Sequence, residues 1–243
     1  MEPKYTLEKI KFASDPDTFS RAVEIYENGG ISDFQELIAC YTAKVTGKNS
    51  YSVSIENRDF RLGSCDCYVG KNNYLCKHLI ALGIYVVLRG KPLDQKLKQN
   101  TSVLEFTNRL GQFSPQELTD VKKSITHALS YLKSYTGPSK IWFAYQDKLS
   151  EGVHRLTQIV SGFPVSKQTS DVLVDLLLRL GNKLANTIDD SDGTVGGFAN
   201  ELVGLLQKYA KLDPACKASF KVFKTKETGF GFEDPLKEIL IHS

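Results

Sequence analysis

The chain has 243 residues, of which 41% are hydrophobic and 24% charged, with a net charge of +3. This composition excludes an intrinsically disordered chain and allows one large domain or two modest ones. No apolar run reaches the roughly 18 to 20 residues of a membrane-spanning helix, and the opening MEPKYTLEKI lacks the charged-then-apolar pattern of a secretory signal, so an intracellular, cytoplasmic protein with reduced thiols is expected.

Charge is spread unevenly. Residues 1 to 40 carry a net −4, residues 41 to 100 a net +6, and residues 101 to 243 a net +1. A local basic excess suits an anionic partner, and it equally describes a solvated basic face.

Along the chain, the first predicted element is a helix over residues 16 to 28, with Asp15 as N-cap, Pro16 in the first turn and Gly29-Gly30 as its stop. From Phe34 to Cys65 the pattern switches to period two: Tyr51, Val53 and Ile55 alternate with polar residues, VTGKNSY supplies a turn before them, and ENRDF another before Arg61-Leu62. The expectation is a three-stranded antiparallel meander. HLIALGIYVVLRG then has the length of a helix that is apolar on nearly all sides, closed by Arg89-Gly90.

GKPLDQKLKQN reads as a polar linker, and the rest of the chain reads as helices. Ser114-Pro115-Gln116-Glu117 is a capping box, followed by a stripe of Leu118, Val121, Ile125, Leu129 and Leu132. Trp142, Gln146, Leu149, Val153, Leu156 and Val160 mark a second helix, SDVLVDLLLRLGNKLA a third and FANELVGLLQKYAKL a fourth, closed by Asp213-Pro214. The short segments TGPS, SGFPVS and DDSDGTVGG join them as turns. The fold class expected is therefore α+β: a module on a small antiparallel sheet within residues 1 to 95, then an all-α, HEAT-like array of helical hairpins over residues 100 to 243.

The chemistry concentrates in CDCYVGKNNYLCKHL, residues 65 to 79. Nine residues of the whole chain are Cys or His, and the window 65 to 78 holds four of them. Side chains at i and i+2 of an extended strand point the same way, so Cys65 and Cys67 can present two thiolates to one ion. On a helix they would diverge. By the same reasoning Cys76 belongs in extended backbone just before a helix whose first turn holds His78. The set Cys65, Cys67, Cys76 and His78 matches a tetrahedral Zn²⁺ site, whereas an iron–sulfur cluster does not commonly use it. Four protein ligands saturate zinc and leave no position for a catalytic water, so one structural Zn²⁺ is expected. Closing a small unit with little core of its own, the ion is expected to be needed for folding of that unit.

C-x-C, a short spacer, then C-x-H, preceded by strands and followed by an apolar helix, resembles the SWIM zinc finger over about residues 40 to 90. The resemblance implies Cys65, Cys67, Cys76 and His78 as ligands, a β-β-α order, and a module that binds DNA or protein. Family members occur attached to chromatin-remodelling-type ATPases, Mutator-like transposases and signalling proteins. The helical remainder is similar in general pattern to stand-alone prokaryotic SWIM proteins.

Elsewhere, Cys40 and Cys216 read as buried thiols, and His127, His154 and His242 are isolated. Asp190 to Gly193 resembles part of a calcium loop, but that register puts Ile188 and Ala199 where carboxylates are needed, so a capping loop is expected instead. H-E-x-x-H, G-x-S-x-G and P-loop patterns are absent, and a non-enzymatic protein without a small-molecule substrate or a membrane partner is expected. Two functions fit. In one, the basic module contacts nucleic acid, DNA in preference, with Lys44, Lys48, Arg58, Arg61, Lys71 and Lys77 as phosphate contacts. In the other, the helical array is a protein-binding adaptor and the zinc is purely structural.

Overall fold

The computed structural model describes residues 2–98, 103–134 and 142–241, and the chain divides into two compact units, residues 1–100 and 101–243. The turn expected at 136–139 and His242 lie outside the described residues. No helix among the described residues is long and apolar enough to cross a membrane. A small antiparallel sheet followed by many helices makes the fold α+β.

The first unit opens with a short helix that the sequence pattern did not reveal, α1 (Leu7–Phe12), capped by Thr6. Its six residues give too few turns for a periodic signal. Helix α2 (Pro16–Glu27) starts where expected: the Asp15 carboxylate accepts from the Thr18 amide at 2.9 Å, and proline fills the first turn.

The sheet has four strands rather than three: β1 (Ile31–Glu36), β2 (Cys40–Thr46), β3 (Ser50–Glu56) and β4 (Gly63–Cys65), in the order β1-β2-β3-β4 and antiparallel throughout. The extra strand, β1, lacks the usual sequence signals for two reasons. Its turn into β2 is Leu37-Ile38-Ala39, without Gly, Pro, Asn or Asp to announce it. It also carries an irregularity between Ser32 and Gln35, where Asp33 takes a φ of 52°, and that breaks the period-two pattern.

A one-turn helix, α3 (Tyr68–Lys71), and the long helix α4 (Lys77–Leu88) follow. α4 packs on the sheet with one side and on α1 and α2 with the other. That sandwich is why its sequence is apolar nearly all round. Ile80, Leu82 and Ile84 of α4 meet Ile10, Phe19, Val45, Ile55 and Phe60 in a core that also takes in Cys65, Cys67 and Cys76. Arg89 ends the helix in the left-handed conformation, φ 52°.

The stretch read as a linker belongs in large part to this unit. Leu93 is buried, the Tyr26 hydroxyl donates to the Lys91 carbonyl at 2.6 Å, and Lys98, in the short helix α5 (Gln95–Lys98), pairs with Glu27 at 2.5 Å. Leu97 packs against the same core as Leu93, and a composition that is otherwise polar hid both apolar anchors.

In the second unit, α6 (Pro115–Leu129) begins at the predicted capping box, with Ser114 and Glu117 exchanging side-chain and backbone bonds. Helices α7 (Trp142–Val160), α8 (Lys167–Asn186) and α9 (Thr194–Leu212) pack with it around Leu149, Leu156, Leu173, Leu177, Leu180, Leu202 and Leu206. A run of 3₁₀ helix, Pro214–Lys224, and α10 (Asp234–Ile241) close the unit, contributing Phe220, Phe223 and Leu236. Neither was legible in the sequence.

The acidic loop before α9 is a cap. Asp190 Oδ1 accepts from the Val195 amide and Oδ2 from the Gly196 amide, each at 2.8 Å, so one carboxylate answers two first-turn donors of α9 and sits at its positive end. Asp190→Ala is expected to destabilise the helical unit by about 1 to 2 kcal/mol in denaturant unfolding, with the metal content of the first unit unchanged.

Candidate metal centre

Each predicted ligand is placed by a different local device. Cys65 ends β4, opposite Val53 of β3. Asp66 pins the C-x-C pair to the sheet: its carboxylate accepts from the Ser52 amide at 3.0 Å and its own amide donates to the Ser52 carbonyl at 3.3 Å. Cys67 is extended, with φ −69° and ψ 163°, and is the N-cap of α3, its sulfur accepting from the Gly70 amide at 3.2 Å. After α3, Asn73 in the left-handed conformation, φ 61°, turns the chain back. Cys76 is the extended N-cap of α4, and His78 follows in its first turn, stacked at 4.6 Å and a tilt on Tyr51.

All four side chains are buried, and one donor atom from each falls within 4.8 Å of the others. Nδ1 of His78 faces the Cys65 sulfur at 3.8 Å. A tetrahedral zinc with sulfur at about 2.3 Å and nitrogen at about 2.0 to 2.1 Å has edges of about 3.6 to 3.8 Å, so the set is close to the size the ion requires. The four donors fit one structural Zn²⁺.

Protonation argues the same way. The adjoining Cys65 thiol holds Cys76 well below the usual thiol range, with His78 and the first-turn Leu79 amide adding to the effect against the opposing cost of burial. Cys65 is pushed well up, first by its bond to Cys76 and then by burial. Two sulfurs this close cannot both ionise without a counter-charge, and a divalent cation supplies it.

The order of elements, the donor set and the buried four-residue cluster are the features to set beside known proteins. Residues 51–85 match the family model of the SWIM zinc finger. No curated protein and no solved structure matches the chain. The matched span runs from β3 through most of α4; α1, α2, β1 and β2 lie ahead of it. In this chain the SWIM finger is thus built into a larger unit with a core of its own.

Gly70 is a site residue whose reason the sequence did not disclose. It sits in the helical turn, not in a left-handed bend. A Cβ on it would lie 2.5 Å from the Cys65 carbonyl oxygen and 2.6 Å from the Cys65 Cβ, so only glycine lets α3 close over the first ligand. Among the six cations expected as phosphate contacts, Arg58 is paired with Glu56 at 2.6 Å and Arg61 with Asp59 at 2.7 Å through a two-pronged contact. Lys44 lies on the outer face of the sheet beside Ser52 and Ser54, Lys71 ends α3, and Lys48 and Lys77 line one cleft.

The core under α4 also revises the expected effect of metal loss. Phe19, Phe60 and Ile80, none of them a ligand, are fully buried, so the whole unit need not collapse. Chelation is expected to abolish amide-exchange protection across residues 63–78 while α2 and α9 keep theirs, read by hydrogen exchange with mass spectrometry. Cys65→Ser, Cys67→Ser, Cys76→Ser and Gly70→Ala are expected to lower the zinc content of the purified chain below one per molecule. Cys40→Ser and Cys216→Ser are expected to leave it at one, as measured by elemental analysis.

Proposed function

We propose that this chain is a non-enzymatic nucleic-acid-binding protein whose SWIM finger contacts DNA through its basic outer surface, the zinc holding that surface in shape. The observation that carries this reading is the division of labour within residues 41–100. The ion's four donors are all buried and are all the ligands zinc needs, while the +6 excess of the same segment lies outside the cluster. Lys44, Lys48 and Lys71 are exposed and Lys77 is half-buried. Arg58 and Arg61 retain less free charge for a phosphate, because each already holds a carboxylate.

A second reading has its own observation. Ile38, Tyr68 and Tyr74 are 88%, 84% and 70% exposed, and Leu37 and Leu62 are also exposed. Leu62 and Tyr74 line a cleft of 710 Å³ between the β1–β2 turn and α3. Apolar side chains in that number on one small module suit a protein partner.

For the first reading, zinc-loaded protein is expected to bind fluorescein-labelled duplex DNA at low salt, with log K falling linearly in log salt by about 0.9 per phosphate neutralised. Lys44→Glu and Lys71→Glu are expected to weaken binding by a similar factor for every sequence tested. Absence of binding to duplex or single-stranded DNA or RNA at low salt would contradict it and leave the protein-partner reading.

A further inference from the structure

Lys48 and Lys77 meet in a cleft of 670 Å³ that the sequence could not have shown, because its opposite wall comes from α2. Arg21 and Glu24 of α2, the glycines Gly29 and Gly30 after it, and Gly47 in the β2–β3 turn complete the lining. Three cations thus face one carboxylate in a concavity, and none of the three is ion-paired among the described residues. Arg21 does not stand out in the sequence because it belongs to the segment with a net charge of −4.

An independent observation points to an anion in the same place. His78 is 4% exposed and its Nε2 has no hydrogen-bond partner among the described residues. With Nδ1 turned to the sulfurs and committed to zinc, Nε2 carries the proton and is a donor. Metal-bound imidazoles almost always give that second N–H to a carboxylate, a carbonyl or water. Here it lies directly behind Gly47: a Cβ on Gly47 would be 3.4 Å from Nε2, 3.7 Å from Ile25 Cδ1 and 3.8 Å from Lys77 Cε. The donor therefore lies buried just beneath Gly47 of the cleft wall and near the flexible stem of Lys77, one layer below the cleft's own lining.

We propose that this cleft seats a backbone phosphate of nucleic acid, held by Arg21, Lys48 and Lys77 from its walls and by His78 Nε2–H from beneath Gly47 once the Lys77 stem swings out to the phosphate. Zinc held by Nδ1 beside the sulfurs would keep the ring in the orientation that puts Nε2 behind Gly47, linking fold to binding. Glu24 opposes the anion and limits affinity. The inference rests on the nucleic-acid reading above and adds a specific seat with a residue, Arg21, outside the matched SWIM span.

The test uses the full zinc-loaded chain and labelled duplex DNA. Arg21→Ala and Lys48→Ala are each expected to weaken binding several-fold and to make the slope of log K against log salt shallower, by at most about 0.9 between them because they share one phosphate. Glu24→Gln is expected to tighten binding. Gly47→Ala is the sharpest probe, since its Cβ makes only ordinary contacts and leaves fold and zinc content intact while filling the space between Gly47 and Nε2. It is expected to weaken binding as well. If the wild-type chain binds DNA and Arg21→Ala, Lys48→Ala and Gly47→Ala all bind equally well, the seat is wrong while the nucleic-acid reading stands. A second measurement works even if long DNA does not bind: titrating the single phosphodiester thymidylyl-thymidine while observing the His78 ring in ¹H–¹⁵N spectra. A shift of the Nε2–H signal that Gly47→Ala abolishes supports the seat, and an unmoved signal overturns it.

Discussion

Three buried cysteine sulfurs gathered with an imidazole within 4.8 Å cannot all be thiolates unless a cation sits among them. Much of the first unit's architecture follows from meeting that condition. Asp66 fixes the first cysteine pair against β3, Gly70 allows a helical turn to close over Cys65, Asn73 reverses the chain, and α4 begins just after the third cysteine, with the first-turn Leu79 amide acting on its sulfur. The helix N-terminus has its positive end at a cluster that carries a net negative charge once zinc and three thiolates are counted. Sheet and helix are therefore oriented relative to one another at the metal, and the apolar contacts of α4 with α1, α2 and the sheet extend that arrangement away from it.

The ligand set was legible because the geometry of i and i+2 positions is strict: two side chains two residues apart diverge within a helix, and here Cys65, Cys67 and Cys76 all lie in extended backbone, with His78 just inside the first turn of α4. Helix starts with side-chain caps, at Asp15 and Ser114, were legible for a similar reason, since one local hydrogen bond defines each. What escaped was structure defined by tertiary contact. β1 is joined to β2 by an apolar turn, the 3₁₀ run is short-pitched and without a helical period, and the tail of the supposed linker is held by Leu93, Tyr26 and Lys98. The pairing of Arg58 with Glu56 and of Arg61 with Asp59 escaped too, although each partner lies two residues away. Those positions look like part of a turn, and a segment sum weighs them only by their charge.

Function was legible to the level of a zinc-binding interaction module. Net charge by segment identified the basic region, but a linear sum cannot tell a cation that faces an empty cleft from one that faces a carboxylate, or bring Arg21 to the side of Lys48. Folding does both. It leaves a module whose metal site is sealed and whose exterior offers two distinct surfaces: one basic, beside α2, and one apolar, around Ile38, Leu62 and Tyr74.

The central claim is that the cluster holds one zinc with four protein donors and no exchangeable position, so that the metal shapes the surface and takes no part in chemistry. X-ray absorption at the zinc edge on the native purified chain addresses it directly. The account predicts three sulfurs at about 2.3 Å and one nitrogen at about 2.0 to 2.1 Å, unchanged when azide or cyanide is added. Fewer sulfurs, an oxygen ligand that the added anion displaces, or a chain purified without metal would contradict it.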